Sequence, residues 1–375
     1  MCIFAPNFRQ GIFNQNKGMQ INTFKTFLAS LFLFVTIYGC ASKDQETSLE
    51  EREFNGSEMI LHHVGDSHSF HVAGEFSLPL PVILWTDNGL VAFMSSEFHH
   101  DTDGKVVVER RGQKFVNLHD KIYQLEDGAT SVEFNAEHHP ENAFRPVDLS
   151  ITKNVFSMFL SMVLLMLFFM AAARSYKKST DNIPSGIGRF LEPIIVFIRD
   201  EVAIPNIGSE KYHKYMPFLL TLFFFIWINN LIGLVPFFPF SSNLSGNITF
   251  TMTLAIFTFV IMMFSSKKYY WKHMLWMPGL PIPMRIFLAP IELIGMFVKP
   301  IALMIRLFAN ITAGHIIVLS LVSLIFILET IWIAPLSVLF SLFISIIEIL
   351  VVAIQAYIFT LLSALYFGQV LEQEH

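Results

Sequence analysis

Two periodicities divide this chain. Between residues 54 and 146, short runs of β character recur: LPLPVILW (78–85), GLVAFM (89–94), KVVVE (105–109), KFVNL (114–118), KIYQL (121–125) and SVEF (131–134). Asp87-Asn88-Gly89, Asp103-Gly104 and Asp127-Gly128 supply turn signals between several of them. From residue 151 the spacing changes to long apolar stretches, over about 151–173, 215–236, 247–264, 284–328 and 331–367. The first three have the length of single membrane helices, about 20 residues. Residues 184–200 set Arg189, Glu192, Arg199 and Asp200 among apolar positions, the pattern of a helix lying at the membrane interface.

The last two stretches exceed an upright span. As helices, residues 300–328 and 331–367 extend roughly 43 and 55 Å, against a hydrocarbon core of about 30 Å. Strong tilt resolves the mismatch, and Pro290, Gly295 and Pro300 offer bend points. The expected fold is therefore an all-α membrane protein with about five membrane helices plus an amphipathic interfacial helix. The last two helices are long and strongly tilted. A small β-rich extramembrane domain precedes them.

The N-terminus carries a different signal. Lys17 and Lys25 precede the apolar run Phe27 to Tyr38, which ends in Gly39-Cys40. Residues 1–40 read as an export signal, the run being short for a span. The tail IYGC resembles a lipoprotein cleavage site and makes Cys40 a lipidation candidate. Plain signal-peptide cleavage nearby and an uncleaved anchor are the alternatives, and Met19 is an alternative start. Residues 41–53 then read as a charged linker, 54–146 as a periplasmic β-rich domain, and 147–375 as a membrane channel domain.

Composition agrees with a multi-span protein: 53% hydrophobic, 15% charged, mean hydropathy +0.54. The two cysteines, Cys2 and Cys40, leave no disulfide or thiolate metal site in a mature chain. No GxxxxGK[ST] loop occurs, so nucleotide chemistry must sit on another chain. No cofactor, metal or nucleic-acid partner is expected, and the nine histidines of the outer domain read as solvated. Charge distribution sets orientation. Segments 174–214 and 265–285 carry seven and four Lys/Arg, whereas loops 237–246 and 329–330 carry none. The positive-inside rule puts the first two in the cytoplasm, the β domain outside and the C-terminus inside.

Polar residues interrupt the last two stretches. A buried arginine costs about 2.5–3.5 kcal/mol on insertion scales, so Arg306 points to function. Glu292, Lys299 and Arg306 are spaced by sevens and share a helix face, which Asn310 joins one turn later. His315, nine residues beyond Arg306, falls about half a turn off that face. On the next helix Glu348 and Gln355 share a face. Antiparallel packing with Gln355 level with Arg306 brings His315 and Glu348 to similar depth, while Glu292 lies toward the cytoplasm. Titratable groups then flank a fixed cation, a layout suited to two offset proton paths. Taken singly, Asn310, Gln355 and His315 also read as interhelical hydrogen-bonders, Glu292 and Lys299 as an interfacial pair near the cytoplasmic boundary, and Arg306 as a structural partner of Glu348.

These residues resemble a known family. RLFANITAGH (306–315) and EILVVAIQAY (348–357) are similar to subunit a of the F-type ATP synthase, as are FFFIWINNLIGLVP (223–236) and ELIGMFVKP (292–300). The β region resembles extensions of Bacteroidetes-like members. The resemblance implies a non-catalytic, proton-translocating stator subunit in the bacterial inner membrane. Its implied partners are a carboxylate-bearing c-ring, the subunit b peripheral stalk and the rest of the complex. It implies two proton half-channels, Arg306 as the essential arginine holding a deprotonated ring carboxylate, Gln355 positioning Arg306, and Asn310 lining the region beside it. Many members carry Glu at the position of His315 and His at that of Glu348, so the pair is exchanged here. The alternative function is an ion-coupled secondary transporter with Arg306 binding an anionic substrate. Such folds show inverted repeats, and none is visible between the first three spans and the last two.

Overall fold

A computed structural model describes residues 65–371, apart from 74–75, 127, 136–139, 179–184, 236–241, 277–278, 280 and 329–331. The export signal, Cys40 and the 41–53 linker lie outside the described residues.

The outer region holds nine short strands: β1 (Ser69–Ala73), β2 (Phe76–Pro79), β3 (Pro81–Thr86), β4 (Gly89–Met94), β5 (Val108–Arg110), β6 (Gln113–Leu118), β7 (Lys121–Leu125), β8 (Ala143–Phe144) and β9 (Val147–Asp148). They pair antiparallel in three sheets, ordered β1-β2, β4-β3-β9 and β5-β6-β7-β8. Each hairpin follows its turn chemistry. Asp87-Asn88 join β3 to β4, and His119-Asp120, at φ 50° and 62°, join β6 to β7. Two positive φ values match the right-handed strand twist. Val82, Leu84, Val91 and Phe93 point inward with Phe98, Phe115 and Ile122 to form a small core.

Two sequence expectations differ in detail. The 78–85 run divides into β2 and β3 around Leu80, whose N–H bonds outside the sheet to the His68 carbonyl. SVEF (131–134) forms only an isolated bridge, Phe134 to Pro140, since no neighbouring strand continues the ladder.

The helices follow: α1 (Lys153–Lys178), α2 (Ile187–Phe197), a π-helical turn (Ile198–Ala203), α3 (Ile204–Ile207), α4 (Tyr212–Gly233), α5 (Ile248–Ser265), α6 (Lys268–Leu275), α7 (Ile282–Ile327) and α8 (Ala334–Leu371). Five of them, α1, α4, α5, α7 and α8, are long and apolar enough to cross a membrane. The 46 residues of α7 span about 69 Å and the 38 of α8 about 57 Å, so both must tilt strongly in a bilayer. α7 continues through Pro290 and Pro300, so these bend points do not interrupt it.

The membrane helices bury one shared core, with α8 packed against α7, α4 and α3. Gly368 makes the last contact close: a side chain there would overlap the Asn206 carbonyl. The chain entering β1 is hydrogen-bonded to the start of α1. The Asp66 carboxylate accepts from Asn154 N at 3.2 Å, and the Ser67 carbonyl accepts from Lys153 N at 2.9 Å. Orphan N–H groups at a helix start favour such an acceptor. Asn154 Oδ1 in turn accepts from the Ser242 hydroxyl, tying in the turn before α5.

Candidate functional site

The polar residues of α7 and α8 sort into two sets. His315 and Glu348 meet inside the α7–α8 interface: His315 Nε2 lies 3.7 Å from Glu348 Oε1, with the side chains 18% and 5% exposed. Glu348 Oε1 accepts no hydrogen bond among the described residues. A carboxylate removed from water needs a compensating charge or proton. A protonated imidazole at this distance supplies such a charge, at a separation longer than a hydrogen bond. Gln355, two turns further along the same face of α8, is also buried.

The second set faces outward. Arg306 and Asn310 are exposed on α7, one turn apart, and Glu292 is exposed on the same helix. Among them only Lys299 is tied across to α8. Its ammonium donates to Gln369 Oε1 at 2.7 Å and sits 5.5 Å above the Tyr366 ring. Tyr366 also lies within Coulombic reach of Arg306. Glu292 reaches toward α6: burial first, and then its charge, push the Tyr270 hydroxyl up. Heptad spacing therefore places these side chains along α7 without bringing Glu292, Lys299 and Arg306 together.

The register differs from the assumed one. Carrying the His315–Glu348 contact along by seven residues brings Gln355 level with Phe308. The Lys299–Gln369 contact, carried along by fourteen residues, brings Gln355 level with Ala313, so neither contact puts it level with Arg306. Sequence reasoning also missed Gly314. A methyl group there would lie 2.7 Å from Glu348 Oε1, so the carboxylate end of Glu348 would have to swing aside. A small residue directly before His315 was the available signal. Further buried polar groups cluster toward the same end of the bundle. Asn229 and Asn230 of α4 are buried, and Thr312 Oγ1 on α7 and Ser245 Oγ in the turn before α5 lack hydrogen-bond partners among the described residues.

Comparison with known proteins assigns both regions. Residues 155–368 match the family described as ATP synthase A chain. Residues 59–149 match a family described as a domain of unknown function. ATP synthase subunit a of Chloroherpeton thalassium is 45% identical over 264 residues, covering 68% of this chain and 77% of that protein. ATP synthase subunit a 2 of Prosthecochloris aestuarii is 38% identical over 315 residues, covering 78% and 91%. ATP synthase subunit a 2 of Chlorobaculum tepidum is 44% identical over 242 residues, covering 63% and 67%. The match over α1 to α8 and the extended similarity to these relatives make this chain a member of the ATP synthase subunit a family.

Proposed function

We infer that this subunit provides the two proton half-channels that couple transmembrane proton flow to rotation of a c-ring. The observation that carries the reading is the division of polar groups between the two longest helices. The buried His315/Glu348 pair sits at one depth, and Arg306 faces outward about 13.5 Å along α7. A proton taken from the outside passes through His315 and Glu348 to a carboxylate on the ring. After rotation it leaves on the Glu292 side. Arg306 holds the deprotonated ring carboxylate and blocks direct leakage, because an unscreened cation repels a proton in a low-dielectric path. Gln355 and Asn310 position the guanidinium. The outward exposure of Arg306 favours this role, since its partner must come from another chain.

The subunit is the non-catalytic part of the complex, held by the c-ring on one side and the subunit b stalk on another. The basic segments 174–214 and 265–285 support a cytoplasmic location for these loops, with the β domain in the periplasm behind a cleaved signal at residues 1–40. Family membership leaves the secondary-transporter alternative without support. ATP-driven proton pumping in inverted membrane vesicles tests the reading. Arg306→Ala is expected to abolish pumping while the complex still assembles. Retained pumping would overturn it.

A further inference from the structure

The three-stranded sheet β4-β3-β9 carries an apolar outer face over an apolar core. Its inner face, Val82, Leu84, Val91 and Phe93, forms the core. Its outer face would be polar in a solvated antiparallel sheet, and it is not. Leu90, Trp85 and Val147 are cross-strand neighbours, forming one row over all three strands. They are 45%, 59% and 62% exposed. The next row pairs Ala92 with Ile83, and the last pairs Met94 with Pro81. Leu149 joins beside Ile83, bonding to its carbonyl. No charged side chain interrupts these rows, and their one hydrogen-bonding side chain is the Trp85 indole.

This face is held close to a membrane helix. The strand β9 continues along β3 toward α1: Leu149 N donates to Ile83 O, Ile151 N to Pro81 O, and Lys153 N to Ser67 O. Lys153 is the first residue of α1. The Met94–Pro81 row therefore lies about 7 Å from the start of the span, and the Trp85 row about 13 Å beyond it. Tethered this closely, the sheet needs only to lean to bring all three rows to headgroup depth. A tryptophan amid aliphatic residues is the composition that settles at a membrane–water boundary. Cations stand at the Trp85 end. Arg111 donates to the Leu90 carbonyl at 2.8 Å, and Arg145 is exposed two residues before Val147. Two acidic groups adjoin this rim, Asp87 at the hairpin tip and, next to Val147, Asp148, which is paired with His68.

We propose that the outer face of the β4-β3-β9 sheet rests on the lipid surface of the bilayer that α1 crosses. The domain is thereby a membrane-docked platform rather than a free appendage. A lipid occupant fits better than a protein one. Specific protein interfaces carry about one hydrogen bond per 100–200 Å², and the Trp85 indole N–H is the one hydrogen-bonding side-chain group on these rows, a group that suits the headgroup level of a bilayer. Lipid tails require no hydrogen bonds, and the two rim arginines suit phosphate headgroups.

The test uses the full chain in lipid nanodiscs, with Cys2 and Cys40 replaced by alanine. Trp85→Cys, Leu90→Cys and Val147→Cys are each labelled with an environment-sensitive fluorophore, and Glu109→Cys, exposed on β5, serves as control. Nitroxide attached to lipid is expected to quench the three face positions about threefold more than the control, with iodide ranking them in reverse. Equal quenching by iodide at all four positions would overturn the proposal. So would protection from both quenchers, which means that another protein covers the face. Three labelling positions guard against misfolding of any single variant. None of them belongs to the proton path, so either result leaves the reading of Arg306 untouched.

Discussion

His315 Nε2 stands 3.7 Å from Glu348 Oε1, the two side chains arriving from different helices at one buried point. Nine residues separate His315 from Arg306 along α7, and seven separate Glu348 from Gln355 along α8. Those spacings convert to nearly the same rise in antiparallel helices. The contact is thus a consequence of register.

If this pair relays protons, losing either member slows flux. His315→Ala and Glu348→Ala are each expected to reduce ATP-driven proton pumping about 100-fold or more, in the range of a lost acid–base group. The double exchange, His315→Glu with Glu348→His, retains a substantial fraction, because an imidazole and a carboxylate still face each other. Fluorescence quenching in inverted vesicles reads all three. Wild-type flux in both single variants removes the relay.

Gly314 sets the space that the carboxylate occupies. Gly314→Ala puts a methyl 2.7 Å from Glu348 Oε1, so the carboxylate must move. A displacement of about 1 Å can cost up to 100-fold in a positioned reaction. The expected result is a loss of pumping of about tenfold or more with normal assembly, measured against complex content by immunoblot. Unchanged pumping would show that the carboxylate position is not limiting.

Gly368 tests packing rather than proton transfer. A side chain at this point of α8 meets the Asn206 backbone carbonyl of α3, which cannot rotate away. Overpacking of this kind destabilises by about 1–3 kcal/mol. Gly368→Ala should lower the thermal midpoint of the detergent-solubilised chain, and Gly368→Val should lower it further. A midpoint equal to wild type in both refutes the close approach.

The outer domain carries an acid-sensitive contact. Burial raises the Asp148 carboxyl, but His68 and Ser150 outweigh it and lower the carboxyl from 3.8 to about 2. His68 Nε2 lies 3.5 Å from Asp148 Oδ2, and Ser150 N donates to Oδ1 at 2.8 Å. A depressed carboxylate contributes stability that is present above pH 4 and lost as pH falls toward 2. Partial exposure screens it to about 1 kcal/mol. Amide exchange in β3 and β9 should accelerate across that window, and Asp148→Asn should flatten the change. An acid limb that persists in Asp148→Asn assigns it to another group.

Much of the architecture was legible along the chain. Alternating short runs and turn pairs announced the β region, and apolar length announced five membrane helices. SVEF had strand composition but no partner strand, so it forms one bridge. Composition measures preference, whereas a ladder needs a neighbour. Spacing along α7 put Arg306 and Asn310 on one face because helical angle is local.

The sequence by itself therefore determined the class of the chain and the polar motifs that mark its family. Local periodicity and burial length need no tertiary information. Only the folded structure decided which groups meet. It brought His315 to Glu348, set Gly314 against the Glu348 carboxylate, tied Lys299 to Gln369, and left the outer face of one sheet of the outer domain apolar. Those outcomes depend on interhelical register, close approach and exposure, which arise between segments far apart in the chain.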